Sequence, residues 1–390
     1  MDVVLILPPN PFLEEQKRNC PLGILYVAAA WREAGNNISI VDLRESDEWD
    51  IPESDLYGIS STSIDLSYAI KVVDFIRLKY PKSKIMLGGI AAIDPRVNNQ
   101  FNYVVHGEGE SFDIFNFAYK KYYNSLDDIP FPARNLLPDS TVVNKFLCHN
   151  NIKATTIIGS RGCPFNCLFC SSPFWWQGRF RLRSPENIVA EINTLIDIYN
   201  IEELRFQDDE MNLNKNWLLR LSALMPRKIK FRCNARAEIG NFEELAKVGC
   251  YEVSIGVETA NPIAHKVNKH VNLESTERGI REAYNAGLDL RLCFIIGLPF
   301  DSNVANNTIA FLERMPPAKI FLHVLMPLPG SQIADNINQY GVLNGEIETS
   351  VPVNNKIKIN FIPYGFTEDL LLEEYWKLRY YLEDKQCLIH

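Results

Sequence analysis

Gly162-Cys163-Pro164-Phe165-Asn166-Cys167-Leu168-Phe169-Cys170 carries three cysteines in the spacing C-x3-C-x2-C. The stretch follows an apolar run at residues 154–160, which is short, rich in β-branched residues and ended by Gly159-Ser160. Such a run predicts a buried strand. The three cysteines are therefore expected together on the loop that leaves the carboxyl end of that strand.

Three thiols on one loop indicate a metal centre. Zinc usually takes four protein ligands, commonly as two Cys-x2-Cys pairs or as Cys and His pairs, and no fourth ligand stands near these three in the sequence. On an iron–sulfur cluster, three thiolates leave one iron without a protein ligand. Structural cysteines are the alternative, although packing rarely places three cysteines within eight residues of one turn. The spacing favours an iron–sulfur cluster.

The stretch resembles the signature of radical S-adenosylmethionine (SAM) enzymes. In that family three cysteines hold a 4Fe–4S cluster, and the amino and carboxylate groups of SAM bind the open iron. The resemblance implies that Cys163, Cys167 and Cys170 are the cluster ligands and that Phe169 packs against the adenine of SAM. It also implies an electron donor of the flavodoxin or ferredoxin type.

The composition is that of an ordinary globular chain of 390 residues, with 46% apolar and 23% charged residues, which suffices for two or three domains. No long uncharged apolar stretch and no signal peptide stand out, so we expect a cytoplasmic protein with no membrane partner. The net charge of −8 argues against a nucleic-acid partner, although residues 179–183 form a local basic patch. The six cysteines outside the loop lack pair spacing, which argues against a disulfide framework.

Residues 1–126 alternate apolar runs with amphipathic stretches. Strands are predicted at 3–7, 37–42, 56–60, 84–87 and 103–106. Helices are predicted at 23–34 and 67–80, the second with Ile70, Val73, Phe75, Ile76 and Leu78 at helical spacing. This pattern predicts a Rossmann-like, doubly wound parallel sheet whose ligand lies beyond the carboxyl ends of the strands.

The predicted strand ends carry small or turn-forming residues. Singly, each is typical of a tight turn. Together they resemble the cobalamin-binding domain that precedes many radical SAM domains, in which the corrin ring lies over the strand ends. The resemblance implies cobalamin contacts at the following positions: Pro9, Asn10, Gly23, Ser60, Ser61, Thr62, Gly88, Gly89, Ile90, Gly107, Glu108 and Gly109.

One feature of cobalamin domains of the methionine synthase type is missing. Their cobalt-ligating motif is Asp-x-His-x-x-Gly, and no Asp in this chain has a His two positions later. His106, the only histidine in residues 1–140, is interpreted as structural. Two hypotheses stay open: cobalamin binds with its lower axial position unfilled by imidazole, or the domain has lost the cofactor.

Residues 127–150 are interpreted as an inter-domain linker, because prolines punctuate a polar segment there. Residues 151–331 resume the strand and helix alternation. Strands are predicted at 154–160, 203–207, 228–233, 251–256, 290–296 and 319–325, and helices at 185–199, 214–225, 241–248, 274–286 and 303–314. This α/β pattern predicts an incomplete TIM-like barrel of six βα units, with its chemistry at the carboxyl ends of the strands. Residues 332–390 are interpreted as a capping segment with a helix over 368–382.

Polar residues follow several of the barrel strands. The acids of residues 208–210 are also typical of a solvated turn. The resemblance to radical SAM enzymes implies SAM contacts at Asp208 and Asp209 after the second strand, Arg236 after the third, Glu258 and Thr259 after the fourth, and Ile296 in the fifth.

The resemblance also implies the chemistry. The cluster passes one electron to SAM, the resulting 5′-deoxyadenosyl radical abstracts hydrogen, and cobalamin adds methyl transfer. The leading hypothesis is a cobalamin-dependent methyltransferase that acts on an unactivated carbon, or on phosphorus, of a peptide or small natural product. Two alternatives stay open: a radical SAM rearrangement or cyclisation without net methylation, and a redox or cobalamin-binding protein without turnover.

Overall fold

A computed structural model describes residues 1–10, 13, 15–46, 48–97, 99–119, 123–144, 152–269, 271–345 and 357–388, with only the backbone at 119, 264 and 266–268. The chain divides into two compact units. The first comprises Met1–Ile157, Arg181–Arg183 and Ala190–Glu203; the second comprises Ile158–Phe180, Ser184–Val189 and Leu204–His390. Within the described ranges, no helix combines the length and the apolar character needed to cross a membrane.

The first unit contains a five-stranded parallel sheet. Its strands lie side by side in the order Asn37–Asp42, Asp2–Leu7, Leu56–Ser60, Lys84–Gly88 and Tyr103–Val104. In this doubly wound order the chain turns from one side of the first strand to the other, which creates a switch point beside the carboxyl end of Asp2–Leu7. The predicted α/β class and parallel sheet are confirmed, and the ligand predicted from the sequence would lie at this edge.

Helical periodicity explains how one of the two long helices packs on this sheet. Leu66–Lys79 buries Ala69, Val72, Val73 and Ile76, which are spaced three to four residues apart. The prediction that Leu78 shares this face is wrong, because Leu78 is 88% exposed. At 100° per residue, Leu78 points away from Ala69 on the opposite side of the helix.

The other elements of the first unit are short, apart from the second long helix, Leu22–Glu33. The described ones are the strand pair Phe112–Asp113 and Ala118–Tyr119, the 3-10 turns Ile90–Ile93, Gly109–Ser111, Leu126–Asp128 and Arg134–Leu136, the helix Asp139–Val142 and the strand Ala154–Ile157. Ala154–Ile157 is buried throughout and leads directly along the chain to the cysteine loop, as predicted.

The second unit contains strands that are neighbours in the order Lys319–Val324, Asp289–Ile296, Cys250–Glu258, Lys230–Ala235 and Glu203–Phe206. The first four pair in parallel. Its long described helices are Lys215–Leu224, Phe242–Val248, Pro262–Lys269, Leu273–Asn285, Val304–Arg314 and Glu368–Asp384, and its shorter elements are Ser160–Arg161, Ser172–Trp176, Ala237–Ile239, Gln332–Asp335, Ile337–Tyr340, Gly341–Leu343 and Phe361–Pro363. The helix Pro185–Tyr199 begins in the second unit and continues in the first, which also contains the strand Arg181–Leu182.

The predicted strands and helices of residues 151–331 are all present, with small differences at their ends. Pro185–Tyr199 has the predicted bounds, and the Ser184 hydroxyl caps it by accepting a hydrogen bond from the Asn187 amide at 3.1 Å. Two helices were not predicted, Ser172–Trp176 and Pro262–Lys269. The second of them brings a lysine to the candidate site.

Side chains alternate between the two faces of the strand Cys250–Glu258, so that apolar residues pack on one face and polar residues lie on the other. Val253, Ile255 and Val257 are fully buried on one face of the strand. Gly256 and Glu258 belong to the opposite face and are partly exposed. The sequence of this strand therefore places polar groups on one side of the sheet at its carboxyl end.

Candidate active site

The entry of the cysteine loop is held by one buried carboxylate. Asp208 accepts hydrogen bonds from the Gly159 amide at 2.9 Å and from the Ser160 hydroxyl at 2.5 Å. Gly162 then adopts a left-handed conformation with φ +90°, and a Cβ atom there would lie 1.9 Å from the carbonyl oxygen of Arg179. A residue with a side chain would clash with backbone at this position, so glycine lets the loop turn.

The three thiols of the loop are half-buried and free. Burial raises the pKa of Cys163 and of Cys170 to about 12. Burial also raises the pKa of Cys167, against the opposing effects of Lys269 and Arg236. Iron must therefore displace protons from these sulfurs when it binds.

The donor set fits an iron–sulfur cluster. Cys163, Cys167 and Cys170 present soft sulfur ligands from one loop, as such clusters require. Across the described residues, no group of three or more His, Cys, Asp or Glu side chains is close enough together to hold a single metal ion. A cluster differs from a single ion in this respect, because its irons take one thiolate each.

Arg236 joins the end of the strand Lys230–Ala235 to the cysteine loop. Its guanidinium lies 3.7 Å from the centre of the Phe165 ring, and its Nη1 donates to the Sγ of Cys167 at 3.7 Å. Its Nε pairs with the carboxylate of Glu238. Arg236 is only 2% exposed, so these contacts lie in a protected environment.

Asp208 and Asp209, both predicted to contact SAM, are already engaged with the protein. Each Asp208 oxygen accepts a hydrogen bond from the loop entry. Asp209 accepts one from the Ser172 hydroxyl at 2.5 Å. These contacts give the two residues a role in the shape of the loop, and their contact with SAM stays a prediction.

Two residues that were not selected from the sequence lie in the same region. Burial raises the pKa of Glu210 to about 8, against the lowering effects of Lys269 and Arg236. Glu210 Oε2 is buried, and no described residue forms a hydrogen bond with it. Lys269 donates to the carbonyl of Gly256 and lies 3.8 Å from the carboxylate of Glu258. The acidic run 208–210 was a signal for Glu210, whereas no sequence pattern pointed to Lys269.

The buried carboxylate oxygen of Glu210 could accept a hydrogen bond from SAM. A buried carboxylate oxygen without a partner needs a donor, and the amino group of SAM would supply one. Glu258 has the same lysine as a neighbour, and burial raises the pKa of Glu258 against the opposing charge of Lys269. The described residues thus contain acceptors that a bound ammonium group would satisfy.

The remaining members of the predicted SAM set are Phe169, Ile296 and Thr259. Phe169 is partly buried and packs against the cluster of Leu168, Leu298, Leu325, Ile333 and Phe361. Ile296 is fully buried at the end of its strand. Thr259 is also buried, and its hydroxyl accepts a hydrogen bond from the Asn261 amide at 3.0 Å.

In the first unit, the loops after two neighbouring strands are hydrogen-bonded to each other. The Ser61 amide donates to the Gly88 carbonyl at 3.1 Å, and the Ala91 amide donates to the Ser61 carbonyl at 3.1 Å. Gly89 has φ +84°, and a Cβ atom there would lie 2.5 Å from the Ser61 carbonyl oxygen. Three of the predicted cobalamin residues, Ser61, Gly88 and Gly89, therefore meet at one edge of the sheet.

Two features of the first unit are relevant to the binding of a corrin ring: open space beside two glycines, and a buried hydrogen-bond acceptor. Among the described residues, a Cβ atom added at Gly23 or at Gly88 would meet no atom within 4 Å. Asn10 Oδ1 is buried and has no hydrogen-bond partner in the described part of the chain. These features fit a large ligand above the strand ends. Among the other predicted contacts, Pro9, Ser60, Ile90 and Gly107 are partly buried and Thr62 is exposed.

Glu108 and Gly109 have internal partners instead. Both Glu108 carboxylate oxygens accept from the Arg181 guanidinium at 3.0 Å. A Cβ atom on Gly109 would lie 2.9 Å from Val27, and its carbonyl accepts from the Trp31 indole at 3.1 Å. Packing alone accounts for these two residues, and their contact with cobalamin stays a prediction.

Comparison with known proteins shows similarity to radical SAM proteins and to methyltransferases. Residues 157–312 match the radical SAM superfamily. The chain is 27% identical over 384 residues to an uncharacterized methyltransferase of Pyrococcus horikoshii, with 85% of this chain and 82% of the relative covered. It is 24% identical over 334 residues to bacteriochlorophyllide d C-12(1)-methyltransferase of Chlorobaculum tepidum, with 80% and 72% covered.

The fold is similar to that of TsrM from Kitasatospora setae, a radical SAM methyltransferase. The structure of TsrM with tryptophan and a SAM analogue has a TM-score of 0.73 and 15% identity, and covers 100% of this chain and 91% of TsrM. The structure of TsrM with cobalamin and a 4Fe–4S cluster has a TM-score of 0.69 and 13% identity, with 100% and 90% covered. At these identities the likeness concerns the fold.

Proposed function

We propose that the chain is a cobalamin-dependent radical SAM methyltransferase, because residues 157–312 match the model of the radical SAM superfamily. Its methyl acceptor is an unactivated carbon, or a phosphorus, of a peptide or small natural product. The observation that carries this proposal is the set of three half-buried thiols on one loop. The domain that precedes this loop in the sequence has open space at Gly88, the last residue of a strand, and at Gly23, in the first turn of the helix Leu22–Glu33.

The residues of the second unit have distinct roles in this proposal. Cys163, Cys167 and Cys170 hold the 4Fe–4S cluster, which supplies the electron that cleaves SAM. Phe169 provides an apolar surface for the adenine. Glu210 and Glu258 accept hydrogen bonds from the amino group of SAM. The Glu210 Oε2 atom is buried and the Glu258 side chain is 13% exposed, so water screens the interaction only weakly.

Cobalamin belongs to the proposal on two grounds. Open space lies at Gly88, at the end of a sheet strand, and at Gly23, in the first turn of a helix, and Asn10 Oδ1 offers a buried acceptor for a polar substituent of the ring. The full-length fold also resembles that of TsrM, whose structure contains cobalamin. Cobalamin supplies methyl-transfer chemistry when it is bound.

The proposal includes a partner and a compartment. The cluster needs one electron for each reductive cleavage of SAM, so we propose a donor of the flavodoxin or ferredoxin type. Cluster thiols require a reducing environment, which favours the cytoplasm. The substrate of TsrM is tryptophan, and a small-molecule substrate is the corresponding proposal for this chain.

The decisive experiment uses anaerobically purified protein with cobalamin and SAM supplied. We expect iron and stoichiometric cobalt in the purified protein, and a substrate that gains the mass of one methylene on turnover. Release of 5′-deoxyadenosine without a gain in mass would replace methylation by a rearrangement or ring closure. Absence of any SAM cleavage would contradict an enzymatic function.

Substitution of the thiols tests the cluster itself. Cys163→Ser, Cys167→Ser and Cys170→Ser should each lose the visible absorption of the cluster and SAM cleavage. The matched control is Cys387→Ser, because Cys387 is also a partly buried free thiol but lies near the chain end. Retention of the chromophore in any loop variant would refute the assignment of that ligand.

A further inference from the structure

Arg236 touches the cysteine loop in two places. Its guanidinium stacks on Phe165 at 3.7 Å, and its Nη1 donates to Cys167 Sγ at 3.7 Å. A third contact fixes the side chain from behind, because Nη2 donates to the Lys269 carbonyl at 2.9 Å. The guanidinium is therefore held in one orientation against a ligand sulfur, and the side chain is almost fully buried.

We propose that Arg236 is a positioning residue that raises the reduction potential of the cluster through its hydrogen bond to Cys167. The inference rests on the cluster of the proposed function and does not depend on methyl transfer. One electron from the external donor enters the cluster on reduction, and the cluster becomes more negative by one charge. A cation in contact with a ligand sulfur stabilises that added charge. Hydrogen bonds to the sulfurs and nearby charge are established determinants of cluster potential.

Glu238 opposes this effect. Its carboxylate pairs with Nε of the same guanidinium and lowers the positive charge that Cys167 experiences. Glu238 Oε2 is buried without a hydrogen-bond partner, so no second donor neutralises it within the described residues. The pair therefore predicts shifts of opposite sign: loss of the Arg236 charge lowers the potential, and loss of the Glu238 charge raises it.

The competing interpretation is that Arg236 binds the carboxylate of SAM and affects the cluster only through its substrate. The two interpretations separate when SAM is absent. A guanidinium that acts on Cys167 shifts the potential of the SAM-free cluster. A guanidinium that serves only SAM leaves that potential unchanged and changes the affinity for SAM.

The test is a potentiometric titration of the anaerobically reconstituted full-length protein without SAM, followed by electron paramagnetic resonance of the reduced cluster. The variants are Arg236→Gln, Arg236→Lys and Glu238→Gln. The control is Arg220→Gln, which removes an exposed guanidinium that pairs with Glu186 at 2.8 Å. Iron and sulfide content is measured for each protein before titration.

We expect a lower potential for Arg236→Gln, a higher one for Glu238→Gln and the wild-type value for Arg220→Gln. Arg236→Lys keeps the charge but not the fork of donors, so it should lower the potential less than Arg236→Gln. If Arg236→Gln fails to hold a cluster, the inference is tested by Glu238→Gln alone, whose cluster should have a higher reduction potential than that of the wild type. Unchanged potentials in Arg236→Gln and Glu238→Gln would overturn the inference while leaving the proposed function intact. A wild-type protein that binds no cluster would instead refute the proposed function.

Discussion

The Asp208 carboxylate accepts a hydrogen bond from the backbone amide of Gly159 at 2.9 Å, which ties the exit of one strand to the start of the cysteine loop. The other carboxylate oxygen accepts from the Ser160 hydroxyl at 2.5 Å. Asp208 is only 1% exposed, so water does not compete for these donors. The geometry of the cysteine loop therefore depends on one buried side chain 38 residues beyond the last loop cysteine, Cys170 (208 − 170).

Asp208→Ala should weaken both folding and cluster loading. Removal of the carboxylate leaves two buried donors without partners, and each unsatisfied donor costs about 1–3 kcal/mol. We expect the free energy of unfolding to fall by about 2 kcal/mol or more, and the iron content per chain to fall with it. Asp209→Ala is the matched control, because exposed Asp209 accepts from Ser172 alone. Equal iron content in the two variants would contradict this role of Asp208.

The stability of the cluster-free protein should also depend on pH through Asp208. Burial raises the pKa of Asp208 to about 6, whereas the unfolded value is about 4. Between these values the folded chain binds more protons than the unfolded chain, so stability falls as the pH rises. The contribution is about 3 kcal/mol at most. Unfolding of the wild type and Asp208→Asn should be measured between pH 4 and 7. Parallel profiles would contradict the shift.

Two adjacent glycines in the first unit should respond differently to an added methyl group. Gly89→Ala should destabilise the protein, because φ is +84° and the new Cβ would lie 2.5 Å from the Ser61 carbonyl. Gly88→Ala should fold normally, since its Cβ meets no atom within 4 Å. If the corrin ring fills that space, Gly88→Ala should nevertheless retain less cobalt. Thermal unfolding and cobalt content separate the two effects, and full cobalt retention in Gly88→Ala would place the ring elsewhere.

Short sequence patterns correctly predicted individual strands and the start of a helix. The short β-branched run before the cysteines is a strand, and Ser184 with Pro185 marks the start of a helix with the predicted bounds. The spacing of apolar residues along a helix or strand indicates which face is buried. This works for these elements because each is amphipathic or wholly apolar. Leu78 shows the limit, because an apolar residue on the solvent face of a helix looks the same in the sequence as one on the buried face.

Pairings between distant segments could not be predicted in this way. Arg134 reads as part of a proline-punctuated linker, yet it is 4% exposed and its guanidinium donates to Glu191 at 2.9 Å. Arg183 donates to the other oxygen of the same carboxylate at 2.6 Å. Lys269 similarly reaches the candidate site from a helix with no sequence signal. Which charges meet depends on tertiary packing, which no spacing rule encodes.

Glu252 is another buried carboxylate that is surrounded by cations. Substitution of Glu252 tests whether such a group of buried charges is needed for folding or for catalysis. Glu252 is 2% exposed and lies near the amino-terminal end of the strand Cys250–Glu258. Its oxygens lie 3.0 Å from Arg291, 3.5 Å from Arg232 and 3.2 Å from Lys319. Burial raises its pKa, but the three cations outweigh burial and hold the pKa below its usual value.

Glu252→Gln should therefore be strongly destabilising, because three cations would then face a neutral amide. Breaking a buried charge pair costs about 3–5 kcal/mol, whereas an exposed pair contributes about 1 kcal/mol or less. Glu186→Gln is the control, since its pair with Arg220 is exposed. Denaturant unfolding should separate the two variants, while iron content under folding conditions stays at the wild-type level in both. A loss below about 1 kcal/mol in Glu252→Gln would show that the cations find other compensation, and a selective loss of iron would assign Glu252 to the active site instead.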